Sequence, residues 1–320
     1  ASQSVSDLYY VPKKLTEEIR QAVMSAPSSH DSKKILKHEM IFINIQFEID
    51  EKIIQQLITR IEIVKQVGEL KQKAAIAPCP IRSGREAEMI RRVVERFRSS
   101  DFPAAAAASI WRTIIGASTG VESDLTLSIF FDEKESALYW LAREYFGVST
   151  PIIKQPHIKR IIGDLMDGKA AVGIVPFFSS SDNSNLWTVL MQNTQNSPKI
   201  FARIPFVYND AQGKDMPAAL AIARLMPEAS GDDVSLMVIE IDKNVSQSRL
   251  QTLFTGVNLE VSWINIATIN PVSRHHLLEI KGFVTTEHQE FSSALTSLGR
   301  AVFGSCFLGA YATPVNLANL

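Results

Sequence analysis

The strongest constraint on the fold is a long segment that contains no proline. It runs from Ile35 to Lys73, and Gly68 is its only glycine. Apolar residues recur along it at helical spacing, which predicts one amphipathic helix. These positions are Ile43, Phe47, Ile49, Ile53, Ile54, Leu57, Ile58, Ile61, Val64, Val67 and Leu70. A helix of roughly 50 Å, at 1.5 Å per residue, is longer than a small domain is wide. We therefore expect a second copy of the chain to cover it in a helical dimer.

The size and charge of the chain exclude several classes of protein. Its 320 residues fit two or three domains. With 33 Lys and Arg against 34 Asp and Glu, the net charge of −1 excludes a strongly basic nucleic-acid binder. The longest apolar run, Ala104–Trp111, is far shorter than the roughly 20 residues that span a bilayer. Cys79 and Cys306 are too few for a disulfide framework, and the N-terminus lacks a secretion signal. We expect a cytoplasmic protein without a membrane or nucleic-acid partner.

Helical spacing predicts an all-α segment at residues 35–122. Before it, residues 1–34 are predicted to form a tail, with a linker at Ala26–Ser32. After the long helix, apolar spacing predicts a second helix at Arg85–Arg98 and a third at Ala104–Glu122. The inner face of the third helix is expected to hold Ile110, Trp111, Ile114 and Ile115.

The remainder of the chain changes to alternating strands and helices. Residues 124–228 alternate apolar runs with amphipathic segments that end in Gly147 and Gly168, a pattern typical of an α/β fold. Residues 233–318 then follow the order βαββαβ, the ferredoxin-like motif. The sequence thus predicts a multidomain chain with a helical domain, an α/β lobe and a βαββαβ domain.

No familiar motif groups side chains for metal, cofactor or nucleophilic chemistry. The chain lacks G-x-G-x-x-G, the Walker lysine loop, G-x-S-x-G, H-E-x-x-H and C-x-x-C. We therefore expect neither a cofactor nor a metal. His275 and His276 are adjacent in a predicted strand, so their side chains point to opposite faces. A surface or edge position is favoured for them over a metal site.

The helical segment carries a more informative set of charges. Lys71 follows Arg60 by eleven residues, close to three helical turns, so both side chains point the same way about 16 Å apart. Two cationic side chains at this spacing could hold a small dianion from both ends. Glu86 opens the second helix, and Ser118 and Glu122 share one face of the third. The alternative is a set of solvated helix charges.

Three motifs in order, over about residues 41–122, resemble the three helices of the all-helical (type II) chorismate mutases. The second motif has the form found in chorismate mutases that are fused to prephenate dehydratase. The motifs are Ile49-Asp50-Glu51-Lys52-Ile53-Ile54 with Arg60 and Gly68-Glu69-Leu70-Lys71, then Arg82-Ser83-Gly84-Arg85-Glu86-Ala87-Glu88, then Ile110-Trp111-Arg112 with Ile115-Gly116-Ala117-Ser118 and Glu122. The resemblance implies an intertwined homodimer that rearranges chorismate to prephenate without a cofactor.

The resemblance also implies four catalytic residues. Arg60 would hold one substrate carboxylate, and Lys71 would contact the ether oxygen and a carboxylate. Glu86 would accept a hydrogen bond from the ring hydroxyl, and Glu122 would face the ether oxygen. Because the reaction is a pericyclic Claisen rearrangement, these residues would act by holding one conformer and stabilising charge on the ether oxygen.

Two further substrate contacts are implied, and one is missing. Arg85 would support a carboxylate, and Ser118 would line the pocket. In the family, an arginine seven residues before the aspartate that matches Asp50 reaches into the partner's site; Ile43 stands there in this chain. Two hypotheses follow: a chorismate mutase, or a catalytically impaired regulatory or metabolite-binding protein.

The C-terminal half resembles prephenate dehydratase followed by a regulatory ACT domain. Gly168–Pro176 resembles the strand before the dehydratase E-N-S loop, and Val234–Pro314 resembles the ACT domain. At the E-N-S position the chain reads Phe177-Phe178-Ser179-Ser180, and Pro217-Ala218-Ala219 replaces T-R-F. The G-A-L and E-S-R-P motifs of the ACT domain are missing as well. The resemblance implies a scaffold without dehydratase activity, with a possible amino-acid effector at the ACT-like domain.

Overall fold

The computed structural model describes residues 30–73, 81–131, 137–177, 187, 190–191, 197–209, 217–268 and 270–319. The chain divides into two compact units, one that ends at Leu70 and one that runs from Lys71 to Leu320. Within the described ranges, no helix combines the length and the apolar character that a membrane crossing requires.

The predicted long helix is present as α1, His30–Lys73. It begins earlier than expected, inside the predicted linker Ala26–Ser32, so the linker prediction is wrong from His30 onward. The reason is local. The segment from His30 to Lys34 has no proline or glycine, so no residue in it breaks a helix. The rest of the predicted tail lies outside the described residues.

The apolar stripe of α1 is exposed in the single chain. Phe42 and Leu70, near its two ends, are 64% and 66% exposed. The other large apolar residues exposed along it are Ile45, Phe47, Ile49, Ile53, Ile54, Ile58, Ile63 and Val67. A contiguous apolar surface of this extent marks an interaction site. The homodimer that would cover it stays a prediction.

Two helices open the second unit and pack against each other. Helix α2, Ser83–Phe97, begins two residues before the predicted start at Arg85. Of the apolar face that its spacing predicts, Ile90, Val93 and Val94 are buried, and Met89 and Phe97 are half-buried. Helix α3, Ala104–Glu122, has the predicted bounds, but the prediction of its inner face is partly wrong. Ile110 and Trp111 are 47% and 37% exposed.

The inner face of α3 is formed by small residues. Ala107, Ala108 and Gly116 are buried together with Arg112 and Ser118. At Gly116 the helix lies so close to the next helix that an added Cβ would overlap the carbonyl group of Phe146. This close backbone approach leaves no room for large side chains, and it turns Ile110 and Trp111 outward.

Strands and helices then alternate, as predicted. The strands are β1 Leu127–Phe130, β2 Ile152–Gln155, β3 Val172–Pro176, β4 Lys199–Ile204, β5 Val207–Tyr208, β6 Ala219–Ala223, β7 Asp233–Asp242, β8 Val261–Thr268, β9 Ser273–Lys281, β10 Val302–Ala312 and β11 Val315–Asn316. The helices between them are α4 Ala137–Phe146, α5 Ile158–Met166, α6 Gln247–Gly256 and α7 Gln289–Ser297. The order from β7 to β10 is the predicted βαββαβ.

Nine of the eleven described strands form one mixed sheet, in the order β2-β1-β3-β6-β4-β10-β7-β9-β8, and β5 pairs separately with β11. β1 pairs in parallel with β2 and β3, as expected for the α/β segment. The α/β and βαββαβ segments share this sheet, because β10 pairs with β4 where Gly309 lies opposite Ile200. Gly309 has a φ of +143°, and an added Cβ would overlap the backbone of Ile200. A glycine is therefore needed at this junction.

The expectation for the two adjacent histidines is wrong. His275 and His276 are both buried, because β9 lies between β7 and β8 instead of at an edge. The Trp263 Nε1–H donates a hydrogen bond to His276 Nδ1 at 3.3 Å. Burial lowers the pKa of His276, and the positive charges of Arg274 and His275 lower it further.

The close approach at Gly116 gives a test of helix packing. Gly116→Ala should lower the free energy of unfolding by about 1–3 kcal/mol, because the new methyl group meets backbone atoms that cannot rotate away. Gly120→Ala is the matched control, since nothing lies within 4 Å of the added Cβ and alanine favours the helix by up to about 1 kcal/mol. Urea unfolding measures both. Equal stability of the two variants would contradict the close approach.

Burial of His276 predicts a loss of stability in acid. The unfolded chain takes up a proton near the ordinary histidine pKa, about 6.5, whereas folded His276 resists protonation. Stability should therefore fall as the pH drops below about 6.5, and His276→Gln should weaken this dependence. His157→Gln, at an exposed position, is the control and should leave the dependence unchanged. Unfolding midpoints between pH 7.5 and 5.5 provide the measurement; equal slopes in all three proteins would refute the prediction.

Candidate functional site

The start of α2 places two of the predicted site residues. Arg85 is exposed, whereas Glu86 lies in the first turn and is mostly buried. Glu86 Oε1 accepts a hydrogen bond from the backbone N–H of Arg82 at 3.4 Å. An acceptor in this position suits the free N–H groups of a helix N-terminus. The sequence thus folds so that one carboxylate oxygen is held by the helix itself.

The other oxygen of Glu86 is held by Arg112, which sequence reasoning missed as a site residue. Arg112 Nη1 donates to Glu86 Oε2 at 3.1 Å, and only 7% of the arginine side chain and 14% of the glutamate side chain are exposed. The guanidinium carbon lies 4.0 Å from the ring centroid of Tyr145 and 5.1 Å from that of Phe206. The ion pair is therefore enclosed by aromatic rings.

This enclosure shifts the protonation of both acidic groups. Burial raises the pKa of Glu86 above its usual range; the charge of Arg112 and the hydrogen bonds from Arg82 and Arg112 act in the opposite direction, and Glu228 adds to the rise. Burial also raises the pKa of Tyr145 to about 12. The phenol is therefore neutral at physiological pH, and Glu86 gains a proton more easily than an exposed glutamate does.

A sequence signal for Arg112 existed. Arg112 lies on the same face of α3 as Ala108 and Gly116. A charged residue on a buried face of small residues is expected to have a partner of opposite charge. Its partner could not be read from the sequence, because Glu86 lies on another helix.

Ser118 and Glu122 lie one turn apart near the end of α3. Ser118 is buried, and its Oγ–H donates to the carbonyl of Ile114 at 2.6 Å. The hydroxyl oxygen therefore offers lone pairs more readily than a proton. Glu122 is half-buried and is the last residue of the helix.

Arg60 and Lys71 both lie on α1, in different compact units. Arg60 is exposed and belongs to the first unit. Lys71 is helical and begins the second unit, but its side chain lies outside what the structure describes. One pocket shared by these residues and Glu86 stays a prediction.

Two clefts adjoin α3 in the second unit. A small cleft of about 60 Å³ lies between α3 and the segment Ile204–Val207, with Arg112 and Glu144 in its lining. A larger, open cleft of about 510 Å³ lies beside Gly116, Gly120 and Asp124. Neither of these two clefts contains Glu86, Ser118 or Glu122. In the described part of the chain, no three His, Cys, Asp or Glu side chains are grouped closely enough to hold a metal ion.

Comparison with known proteins finds a family that the helical segment matches. Residues 47–123 match the family chorismate mutase type II. A bifunctional chorismate mutase/prephenate dehydratase of Aquifex aeolicus is 29% identical over 129 residues, which cover 40% of this chain and 35% of that protein. The chain thus matches about a third of the length of this relative.

Solved structures give weaker similarities. A prephenate dehydratase of Arthrobacter aurescens in complex with L-Phe aligns over 61% of this chain and 91% of its own, at 12% identity and a TM-score of 0.44. The quorum-quenching acylase GqqA aligns over 59% of this chain and 95% of its own, at 9% identity and a TM-score of 0.43. These values do not establish a shared fold or activity.

The family match coincides with the residues that the sequence singled out. Residues 47–123 contain all of the predicted site positions, which are Arg60, Lys71, Arg85, Glu86, Ser118 and Glu122. The predicted resemblance is confirmed for this part of the chain, because residues 47–123 match the type II chorismate mutase family.

Proposed function

We propose that the helical segment catalyses the rearrangement of chorismate to prephenate, a step of aromatic amino-acid biosynthesis. The observation that carries the proposal is that the family match includes every predicted site residue. The match to a bifunctional chorismate mutase/prephenate dehydratase supports it. No cofactor is needed, because the reaction moves electrons within one molecule.

The residue types suit this chemistry. Arg60 would hold a substrate carboxylate by two parallel hydrogen bonds, a geometry that guanidinium groups favour. Lys71 would act as a point charge near the ether oxygen, where negative charge grows in the transition state. Glu86 would accept a hydrogen bond from the ring hydroxyl, Arg85 and Ser118 would line the pocket, and Glu122 would face the ether oxygen. A glutamate donates a hydrogen bond only when it is protonated.

We further propose that the protein acts as a homodimer. The exposed apolar stripe of α1, from Phe42 to Leu70, supports this, because a single chain leaves it in water. An intertwined pair of long helices would cover the stripe. A cytoplasmic location stays a prediction that accompanies this function.

We propose that the C-terminal half regulates the mutase and has no prephenate dehydratase activity. Pro217-Ala218-Ala219 stands in place of the T-R-F motif and leads into β6, which carries only buried alanine, leucine and isoleucine. This part of the chain therefore presents no polar side chain for catalysis. The position of the E-N-S loop beyond Phe177 lies outside the described residues. The βαββαβ order supports an ACT-like domain, at which an amino acid could act as effector.

A second function is favoured by one observation. Ile43 stands where the family has an arginine, and it is half-buried in α1. Without that charge, the chain could bind a metabolite or a partner without turnover. The two proposals differ in one measurable property, which is whether the protein converts chorismate.

The mutase proposal predicts that chorismate is consumed in an Arg60-dependent manner. Arg60→Ala should lower the rate by on the order of 100-fold, because a hydrogen-bonded charged partner is worth up to about 3 kcal/mol. Lys65→Ala is the matched control, since Lys65 is an exposed cation on another face of the same helix, and it should retain activity. The loss of chorismate absorbance in the ultraviolet is the measurement. Equal rates in both variants would remove Arg60 from the site.

Introducing an arginine at position 43, where the family has one, should increase the mutase activity. Ile43→Arg should raise kcat/KM by about tenfold if the start of α1 lies as it does in the family, since one recovered charge contact is worth at least about 1.4 kcal/mol. Ile43→Met adds length without charge and should give no gain. The same ultraviolet assay measures both. A gain with methionine as well would show that packing, not charge, limits the protein.

A further inference from the structure

We propose that Arg112 is a positioning residue, which holds the carboxylate of Glu86 in the orientation that receives the substrate hydroxyl. This inference rests on the proposed mutase function, because that function gives Glu86 its role.

Aromatic rings and burial hold the guanidinium group of Arg112 in place. Tyr145 and Phe206 lie against the guanidinium group, at 4.0 and 5.1 Å from its central carbon. The side chain is 7% exposed, so it cannot swing into water. Its Nε and Nη2 have no hydrogen-bond partner among the described residues, which leaves the Nη1 bond to Glu86 as its one ion pair there. A buried guanidinium group that is held between two rings and has one anionic partner keeps that partner in a fixed position.

The anchored carboxylate keeps acceptor capacity for a substrate. Oε1 is held by the backbone N–H of Arg82 and Oε2 by Arg112 Nη1. Two ionised carboxylate oxygens offer about four lone-pair directions. Each oxygen of Glu86 therefore retains a free direction, while the plane of the group is set by the two donors. Arg112 itself is almost fully buried and pairs with Glu86, so we assign it a role through the glutamate and not on the substrate.

The charge of Arg112 also opposes the effect of burial on Glu86. The charged or titratable groups that face this carboxylate are Arg112, Glu228 and Tyr145, and Arg82 adds its backbone N–H. Glu228 raises the pKa of Glu86 and Arg112 lowers it. The side chain of Arg82 is tied to Glu228 by a hydrogen bond of 2.5 Å. Without Arg112, Glu86 would hold its proton to a higher pH and would stop accepting the substrate hydroxyl.

The test compares Arg112→Met with Arg112→Lys and with a structural control. Arg91 is the control, because it lies on α2 near the same Phe206 ring and donates to backbone oxygens of Ser230, Asp232 and Thr313. Arg91 is half-buried, and Arg91→Met should lower stability by removing these hydrogen bonds, without touching Glu86. The readouts are thermal unfolding and the pH profile of kcat/KM with chorismate.

We expect the acid limb of the Arg112→Met profile to move to higher pH. At the acid end its loss relative to wild type should be about tenfold greater than at pH 8, since removing an opposite charge raises a carboxyl pKa by about one unit or more. Arg112→Lys should show a smaller movement, and Arg91→Met none. Should Arg112→Met not fold, the comparison of Arg112→Lys with Arg91→Met decides the question.

Two outcomes overturn the inference. An acid limb that stays at the wild-type pH in both Arg112 variants would make Arg112 a structural residue. The same limb movement in Arg91→Met would show that lost stability, not Glu86, is the cause. If wild type leaves chorismate unchanged, the proposed function fails; carbon NMR titration of the Glu86 carboxyl in wild type and in Arg112→Met then tests the anchor by itself. An unmoved titration there contradicts it.

Discussion

The buried pair of Arg112 and Glu86 is the interaction on which the arrangement of the second unit depends. A guanidinium group in a low-dielectric interior is stable only beside an opposite charge, and removing one partner of such a pair typically costs 3–5 kcal/mol. The pair joins the start of α2 to the middle of α3. The rings of Tyr145 and Phe206 extend the contact to α4 and to the segment that follows β4. One ion pair, with its two aromatic contacts, thus links α2 and α3 to α4 and to the segment that follows β4.

Features that depend on local spacing could be predicted from the sequence. The proline-free segment predicts α1, and the spacing of Ile90, Val93 and Val94 predicts the buried face of α2. The βαββαβ order follows from the alternation of apolar runs and amphipathic segments between Asp233 and Ala312. Three charged and polar motifs in order predict a candidate site on these helices, and the family match over residues 47–123 includes all of its residues. Each of these signals lies within a few turns of chain.

Features that depend on distant contacts could not be predicted. The pairing of Arg112 with Glu86 joins two helices, so neither local sequence indicates it. Ile110 and Trp111 satisfy a helical stripe, but the close approach at Gly116 turns the opposite face inward. His275 and His276 are internal because β8 pairs beyond them, a pairing that no short motif records. The sheet that joins the α/β segment to the βαββαβ segment depends likewise on one glycine opposite Ile200.

The central claim is that the helical segment is a catalyst. The most direct measurement is proton NMR of the wild-type chain incubated with chorismate, in which the product is identified by its own resonances. We predict that prephenate accumulates and that phenylpyruvate does not form, because Pro217-Ala218-Ala219 stands in place of the dehydratase T-R-F motif and carries no polar side chain. A folded dimer that leaves the chorismate spectrum unchanged would contradict the claim.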